Sequence, residues 1–106
     1  MRHLKTALML VLAAMILSMA STAHAQSSAA VAIKGYAFQP QSVTIDKGGS
    51  VTWTNQDSVV HDVKFSGGGS SDLKQGGTYS KTFDKAGTFD YICEIHPTMK
   101  GTVTVK

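Results

Sequence analysis

Gly87-Thr88-Phe89-Asp90-Tyr91-Ile92-Cys93-Glu94-Ile95-His96-Pro97-Thr98-Met99-Lys100-Gly101-Thr102-Val103-Thr104-Val105 is the stretch that decides the fold. Phe89, Tyr91 and Cys93 share one face of an extended chain, and Thr102-Val103-Thr104-Val105 alternates again after Gly101. Apolar residues recurring with a period of two mark half-buried β-strands, so two strands bracket a short loop. In that loop Cys93, His96 and Met99 are each separated by two residues, and a tight turn with this spacing aims all three side chains at one point. Thiolate and thioether are soft donors and imidazole is intermediate, a set that suits copper passing between Cu(I) and Cu(II). Two imidazoles, one thiolate and a long axial thioether make a blue-copper electron-transfer site, and the loop supplies all of it except one His.

The missing imidazole has one source. Of the four His, His3 and His24 fall in an N-terminal segment that reads as a signal peptide, which leaves His61 and His96. Met1, Met9, Met15 and Met19 fall there too, leaving Met99. A lone Cys is ordinarily a small buried hydrophobe and a Met a core gap-filler, but scattered core usage would not gather Cys93, His96 and Met99 in one loop. Structural zinc wants four Cys/His ligands, and thioether is a poor partner for it. Haem attachment through C-x-x-C-H needs two Cys where the chain has one. A Cys–His hydrolase pair is a third reading, against which stand Met99 and the lack of an orienting partner.

At the N-terminus Arg2, His3 and Lys5 precede an apolar run over residues 7–17, and Ala23-His24-Ala25 offers an A-x-A cleavage site. That is the pattern of a secretory signal peptide. The run falls short of the about 20 apolar residues a membrane span wants, and an uncleaved anchor is the runner-up. The expected organisation is a signal peptide over 1–25 and one domain over 26–106, exported by the general secretory route. Without Arg2 and Lys5 the basic count falls from ten to eight against seven acidic residues, a net charge of +1 rather than +3. The lysines are spread singly without aromatic interleaving, which argues against nucleic acid. One Cys excludes an internal disulfide even in an oxidising compartment. A domain this small buries only about 60–65% of its unfolded surface, so a bound metal would add stability.

Between these ends the chain reads as strands and turns. Residues 29–38 hold a first extended segment with Val31 and Ile33 on one face, broken by Gln39-Pro40-Gln41. Val43 and Ile45 alternate with Thr44, and Asp46-Lys47-Gly48-Gly49 is turn chemistry. Val51-Thr52-Trp53-Thr54 alternates apolar inward and threonine outward, with Trp53 a core anchor. After the loop Asn55-Gln56-Asp57-Ser58 a strand resumes at Val59. His61, Val63 and Phe65 take its core-facing parity, which places His61 inward at the loop end. Residues 66–77, with three consecutive glycines, are expected as a flexible surface loop. Tyr79 to Phe83 form the next strand. Seven short strands without helical periodicity beyond the N-terminal segment indicate an all-β, two-sheet sandwich.

These residues resemble the cupredoxins of the plastocyanin/amicyanin family, most closely the amicyanins, over residues 43–105. The resemblance rests on Ala86-Gly87-Thr88-Phe89-Asp90-Tyr91-Ile92-Cys93, on His96-Pro97, Met99 and Gly101, and on the short C-x-x-H-x-x-M loop. Val51-Thr52-Trp53 and His61-x-Val63-x-Phe65 are similar to the family's earlier strands. It implies a cupredoxin-like Greek-key β-sandwich of about seven to eight strands holding one type 1 copper. It further implies His61 and His96 as equatorial imidazoles, Cys93 as the short thiolate bond and Met99 as the weak axial ligand. Three positions depart from the pattern. Asp62 stands where Asn is common, so a side-chain tie between the two ligand loops is open. Phe89 replaces a corner Tyr, and Glu94 a small hydroxyl or amide residue.

The expected function is a periplasmic blue copper protein that carries single electrons between redox partner proteins. No bond is made or broken in a substrate, so it is not read as an enzyme. The alternative is a periplasmic copper chaperone or scavenger, against which an enclosed four-donor site with a thiolate favours retention. Electrons are expected to enter through the edge of His96, where Pro97, Thr98 and Met99 offer mainly apolar surface for transient docking. Lysines such as Lys100 would steer an acidic partner. A monomer with no nucleic-acid partner and no stable membrane insertion after signal cleavage completes the expectation.

Overall fold

The alternation of Val51, Trp53 and Asn55 with Thr52 and Thr54 sorts buried from half-exposed side chains along the longest strand of a computed structural model that describes residues 26–106. The expected signal segment, 1–25, lies outside the described residues. Eight strands follow in order: β1 (Gln26–Ile33), β2 (Phe38–Gln39), β3 (Ser42–Asn55), β4 (Lys64–Phe65), β5 (Gly68–Gly69), β6 (Thr78–Thr82), β7 (Gly87–Ile92) and β8 (Lys100–Val105). No helix occurs among the described residues. The C-terminal half of β3 pairs with β1 in parallel and with β6 antiparallel, while its first residues pair with β8 in parallel. From β8 the sheet continues antiparallel through β7, β4 and β5. A strand shared between two groups in this way joins the layers of a β-sandwich, the class expected.

That sharing corrects one reading. Asp46-Lys47-Gly48-Gly49 bends the chain without reversing it, so the two strands expected on either side are one. Gly48 adopts φ 90°, and a Cβ on Gly49 would run into the Ser27 carbonyl. The backbone groups of the bend bond outward: the Lys47 N–H to the Lys106 carbonyl at 3.0 Å and the Gly48 N–H to the Phe83 carbonyl at 2.6 Å. The Gly49 carbonyl takes the Phe83 N–H at 2.9 Å. Partners on other strands satisfy what a reversing turn would have satisfied internally.

The first extended segment also divides. β1 and β2 form a hairpin in which Lys34 and Ala37 exchange hydrogen bonds of 2.9 and 3.2 Å. Gly35 and Tyr36 between them take φ 62° and 56°, the positive values that a type I′ hairpin turn demands. The strand expected from Val59 is confined to Lys64 and Phe65, and His61 instead forms an isolated bridge with Leu73. Residues 66–77 are anchored rather than loose. Leu73 is buried in the core, and the Ser70 N–H and Oγ bond the carbonyl and N–H of Val63, each at 2.8 Å.

The core is aromatic at its centre. Trp53 meets Tyr91 edge-on at 5.3 Å and packs against Phe65 and Tyr79 at 5.9 and 5.7 Å. Tyr91 lies across Gly101 on the neighbouring strand, where a Cβ would collide with its ring. Trp53 Nε1 and the Tyr91 hydroxyl are buried without a hydrogen-bond partner among the described residues. Burial pushes the Tyr91 phenol up to about 12, opposed by the adjacent Trp53 indole. β7 and β8, held together over their whole length, fix both ends of the loop that carries Cys93, His96 and Met99.

Candidate metal centre

Cys93 follows β7 on the inward parity of Tyr91 and is fully buried. Its N–H donates to the Met99 carbonyl at 3.1 Å and the Met99 N–H to the His96 carbonyl at 2.9 Å, which curls the loop back on itself. Met99 is buried at the loop's end. His61 arrives from the other side, its N–H and carbonyl bonded to Leu73 at 3.1 and 2.7 Å. His61 Nδ1 stands 3.8 Å and His96 Nδ1 3.9 Å from Cys93 Sγ, and the three donor atoms lie within 4.8 Å of one another. Donors that share one ion at about 2.0–2.3 Å from each are separated by distances of this order. The clustered donors are a thiolate and two imidazole nitrogens, and with the Met99 thioether carried on the same loop the set fits copper better than zinc. Of the four residues expected to form the site, His61, Cys93 and His96 bring their donor atoms together, and Met99 closes the same loop through its backbone bonds to Cys93 and His96.

The second layer of contacts includes residues that the sequence left unremarked. His61 Nε2–H donates to Asp57 Oδ2 at 2.9 Å, which leaves the lone pair on Nδ1, the nitrogen facing Cys93. Asp57 also accepts the Gly35 N–H through Oδ1 at 2.8 Å and the Tyr36 N–H through Oδ2 at 3.0 Å. The Tyr36 N–H, ahead of those of Gly35 and the His61 ring, holds the Asp57 carboxyl below its ordinary 3.8 against the opposing effect of burial. Asn55 in turn positions Asp57. Its Oδ1 takes the Asp57 N–H at 2.9 Å while its Nδ2 bonds the Val59 and Leu73 carbonyls at 2.9 and 2.8 Å. Asn55-Gln56-Asp57-Ser58 has no periodicity to show such roles. The one available signal was an acidic residue, Asp57, shortly before His61.

Asp62 resolves the first departure from the family pattern. Its N–H donates to Cys93 Sγ at 3.4 Å, and its Oδ1 accepts the Glu94 N–H at 2.7 Å, so the side-chain tie between the loops is present. Phe89, the second departure, packs on Phe83 at 5.5 Å in place of a hydroxyl contact. Glu94, the third, is exposed to solvent.

A β-sandwich with these donors at one end defines the blue copper class of electron-transfer proteins. The chain belongs to that class's cupredoxin-like family, whose sequence model, described as a cupredoxin-like domain, matches residues 6–105. Amicyanin-alpha of Methylorubrum extorquens is 41% identical over 86 residues, covering 74% of this chain and 72% of that protein. Plastocyanin of Scenedesmus fuscus is 40% identical over 84 residues, covering 65% of this chain and 86% of that protein. The crystal structure of amicyanin from Paracoccus versutus matches with a TM-score of 0.70 at 30% identity, over 83% of this chain and 87% of that one.

Proposed function

We propose that the chain carries single electrons in the periplasm, using one type 1 copper held by His61, Cys93, His96 and Met99. The observation that carries this reading is the approach of both Nδ1 atoms to Cys93 Sγ, at 3.8 and 3.9 Å. Copper bound there supplies a one-electron Cu(I)/Cu(II) couple. What the protein contributes is restraint. Asp57 presents His61 in the tautomer with a free Nδ1, and the Asp62 N–H supports the sulfur. Backbone ties from Leu73 and Met99 hold the loops, so the donors need move little when the charge at their centre changes by one. A site so restrained suits repeated electron transfer better than metal release.

His96 is the half-buried imidazole, which makes its edge the expected entry point. Tyr36 and Ile95, the large hydrophobic side chains exposed among the described residues, stand beside it at 52% and 43% exposure. With Pro97 and Thr98 they supply apolar surface for brief docking, where redox contacts commonly bury less than about 1,200 Å². Lys100 at the rim favours an acidic partner, and a steered rate falls with added salt. The periplasmic location rests on the signal pattern of residues 1–25. No helix among the described residues is long and apolar enough to cross a membrane.

The visible spectrum of the copper-loaded protein tests the assignment. An intense thiolate-to-Cu(II) band is expected, and it disappears in Cys93→Ser because a hydroxyl donor cannot reproduce the covalent Cu–thiolate bond. A loaded protein lacking the band, or a Ser variant keeping it unchanged, overturns the site. Pro97→Glu is expected to slow reaction with the partner and to leave the band in place. Equal rates would move docking elsewhere.

A further inference from the structure

The hairpin turn at Gly35 and Tyr36 requires a positive φ at both positions but does not require a tyrosine at the second. Gly adopts a positive φ without penalty, but Tyr36 at φ 56° holds a bulky side chain in the left-handed region, where Cβ crowds the backbone. Strain of this kind persists where the surroundings over-determine it and points toward a functional constraint. The surroundings here are specific. The Tyr36 ring meets His61 at 5.3 Å and 88° and His96 at 5.0 Å and 84°, edge-on to both. The two imidazoles are themselves 4.9 Å apart. The oxygen that takes the Tyr36 N–H, Asp57 Oδ2, is also the one that takes His61 Nε2–H.

The two histidines are not restrained alike. His61 is fixed through both ring nitrogens, one toward Asp57 and one toward Cys93. Among the described residues the His96 ring has only its approach to Cys93 Sγ and its aromatic neighbours, Tyr36 and His61. We propose that Asp57 and Tyr36 act as one positioning unit for the donor set. Asp57 sets the tautomer of His61 and pins the Gly35–Tyr36 turn, and the pinned Tyr36 ring wedges His96 into the orientation that keeps its Nδ1 on Cys93. The inference rests on reading these residues as copper ligands. Its contacts are made by protein atoms alone, so the unit works with or without copper bound.

The test uses the full chain with labelled histidine rings, observed by NMR without metal, and Cu(I) affinity measured by competition with a chelator. Tyr36→Ala is expected to free the His96 ring, seen as exchange broadening, and to weaken Cu(I) binding about tenfold, as loss of an outer-layer contact does. Tyr36→Phe, which keeps the ring, restores both. Asp57→Ala is expected to disturb the His96 ring although it does not touch it. The Asp57→Ala/Tyr36→Ala double variant should then lose no more than Asp57→Ala alone, since residues acting as a unit are not additive. An unchanged His96 ring in Tyr36→Ala, failure of Phe to rescue, or additive losses in the double variant overturns the proposal. Should Asp57→Ala fail to fold, judged by Trp53 fluorescence, the Ala and Phe variants at Tyr36 decide alone. The ring spectra need no metal, so a wild-type protein without a copper–thiolate band would overturn the copper reading and leave this result standing.

Discussion

A carboxylate oxygen at position 62 does the work an amide oxygen would do. The Glu94 N–H asks only for an acceptor, and Asp62 Oδ1 supplies it at 2.7 Å from a buried site. Asp62→Asn should therefore keep the tie, whereas Asp62→Ala hands the Glu94 N–H to water and should cost about 1 kcal/mol. Urea unfolding of the metal-free protein distinguishes the two, and equal losses for Asn and Ala would show the tie to be idle. Met99 is the residue proposed as the axial donor from its place in the loop. Met99→Leu should keep the blue colour and raise the reduction potential, because losing a weak axial donor destabilises Cu(II) more than Cu(I). A redox titration giving a lower potential would contradict the axial role.

Among the elements, β7 and β8 carry the site, and the register between them sets its shape. Tyr91 and Gly101 are paired across the two strands, and the ring occupies the space a side chain at 101 would need. Gly101→Ala forces ring and strand apart and should cost about 1–3 kcal/mol, as overpacking typically does. At this chain length that lowers the melting temperature by roughly 4–8 °C per kcal/mol. The same shift reaches Cys93 and Met99, since they are joined by the Cys93 N–H to Met99 carbonyl bond at the loop's mouth. An unchanged melting temperature would mean that the Tyr91 ring has room to retreat. The glycine was legible as the end of the ligand loop. Its packing role was not, because only the strand register says which aromatic lies opposite.

For the whole molecule, the buried phenol makes stability depend on alkaline pH. Tyr91 is pushed from 10.0 to about 12 in the folded chain, so between those values the folded state holds a proton that the unfolded state has released. Its contribution is fully present below pH 10.0 and is lost as pH rises toward about 12. Tyr91→Phe cannot ionise and should flatten that decline, by about 2 kcal/mol at its upper end. Comparing urea unfolding of the two proteins across this range isolates Tyr91 from every group the two proteins share. Parallel declines would place the alkaline sensitivity elsewhere. Asp57 acts on the acid side with the opposite sign. Its lowered value means stability present above 3.8 and lost as pH falls through the folded value.

The donor loop and the alternating strands were determined by the sequence alone, because spacing within seven residues and two-residue parity are properties of the chain before it folds. Cys93, His96 and Met99 could be read together for that reason, and His61 by exclusion. What the tertiary structure decided depends on distant backbone groups meeting. Gly48 serves a bend as readily as a reversal, and the Lys106 and Phe83 carbonyls chose the bend, merging two expected strands into β3. Ser70 and Leu73 fasten a glycine-rich stretch whose composition suggested slack. Asp57 finds Gly35 and Tyr36 more than twenty residues away, and no local pattern assigns a positive φ to a tyrosine. Local periodicity reports which way a side chain faces, and only the assembled fold reports what it faces.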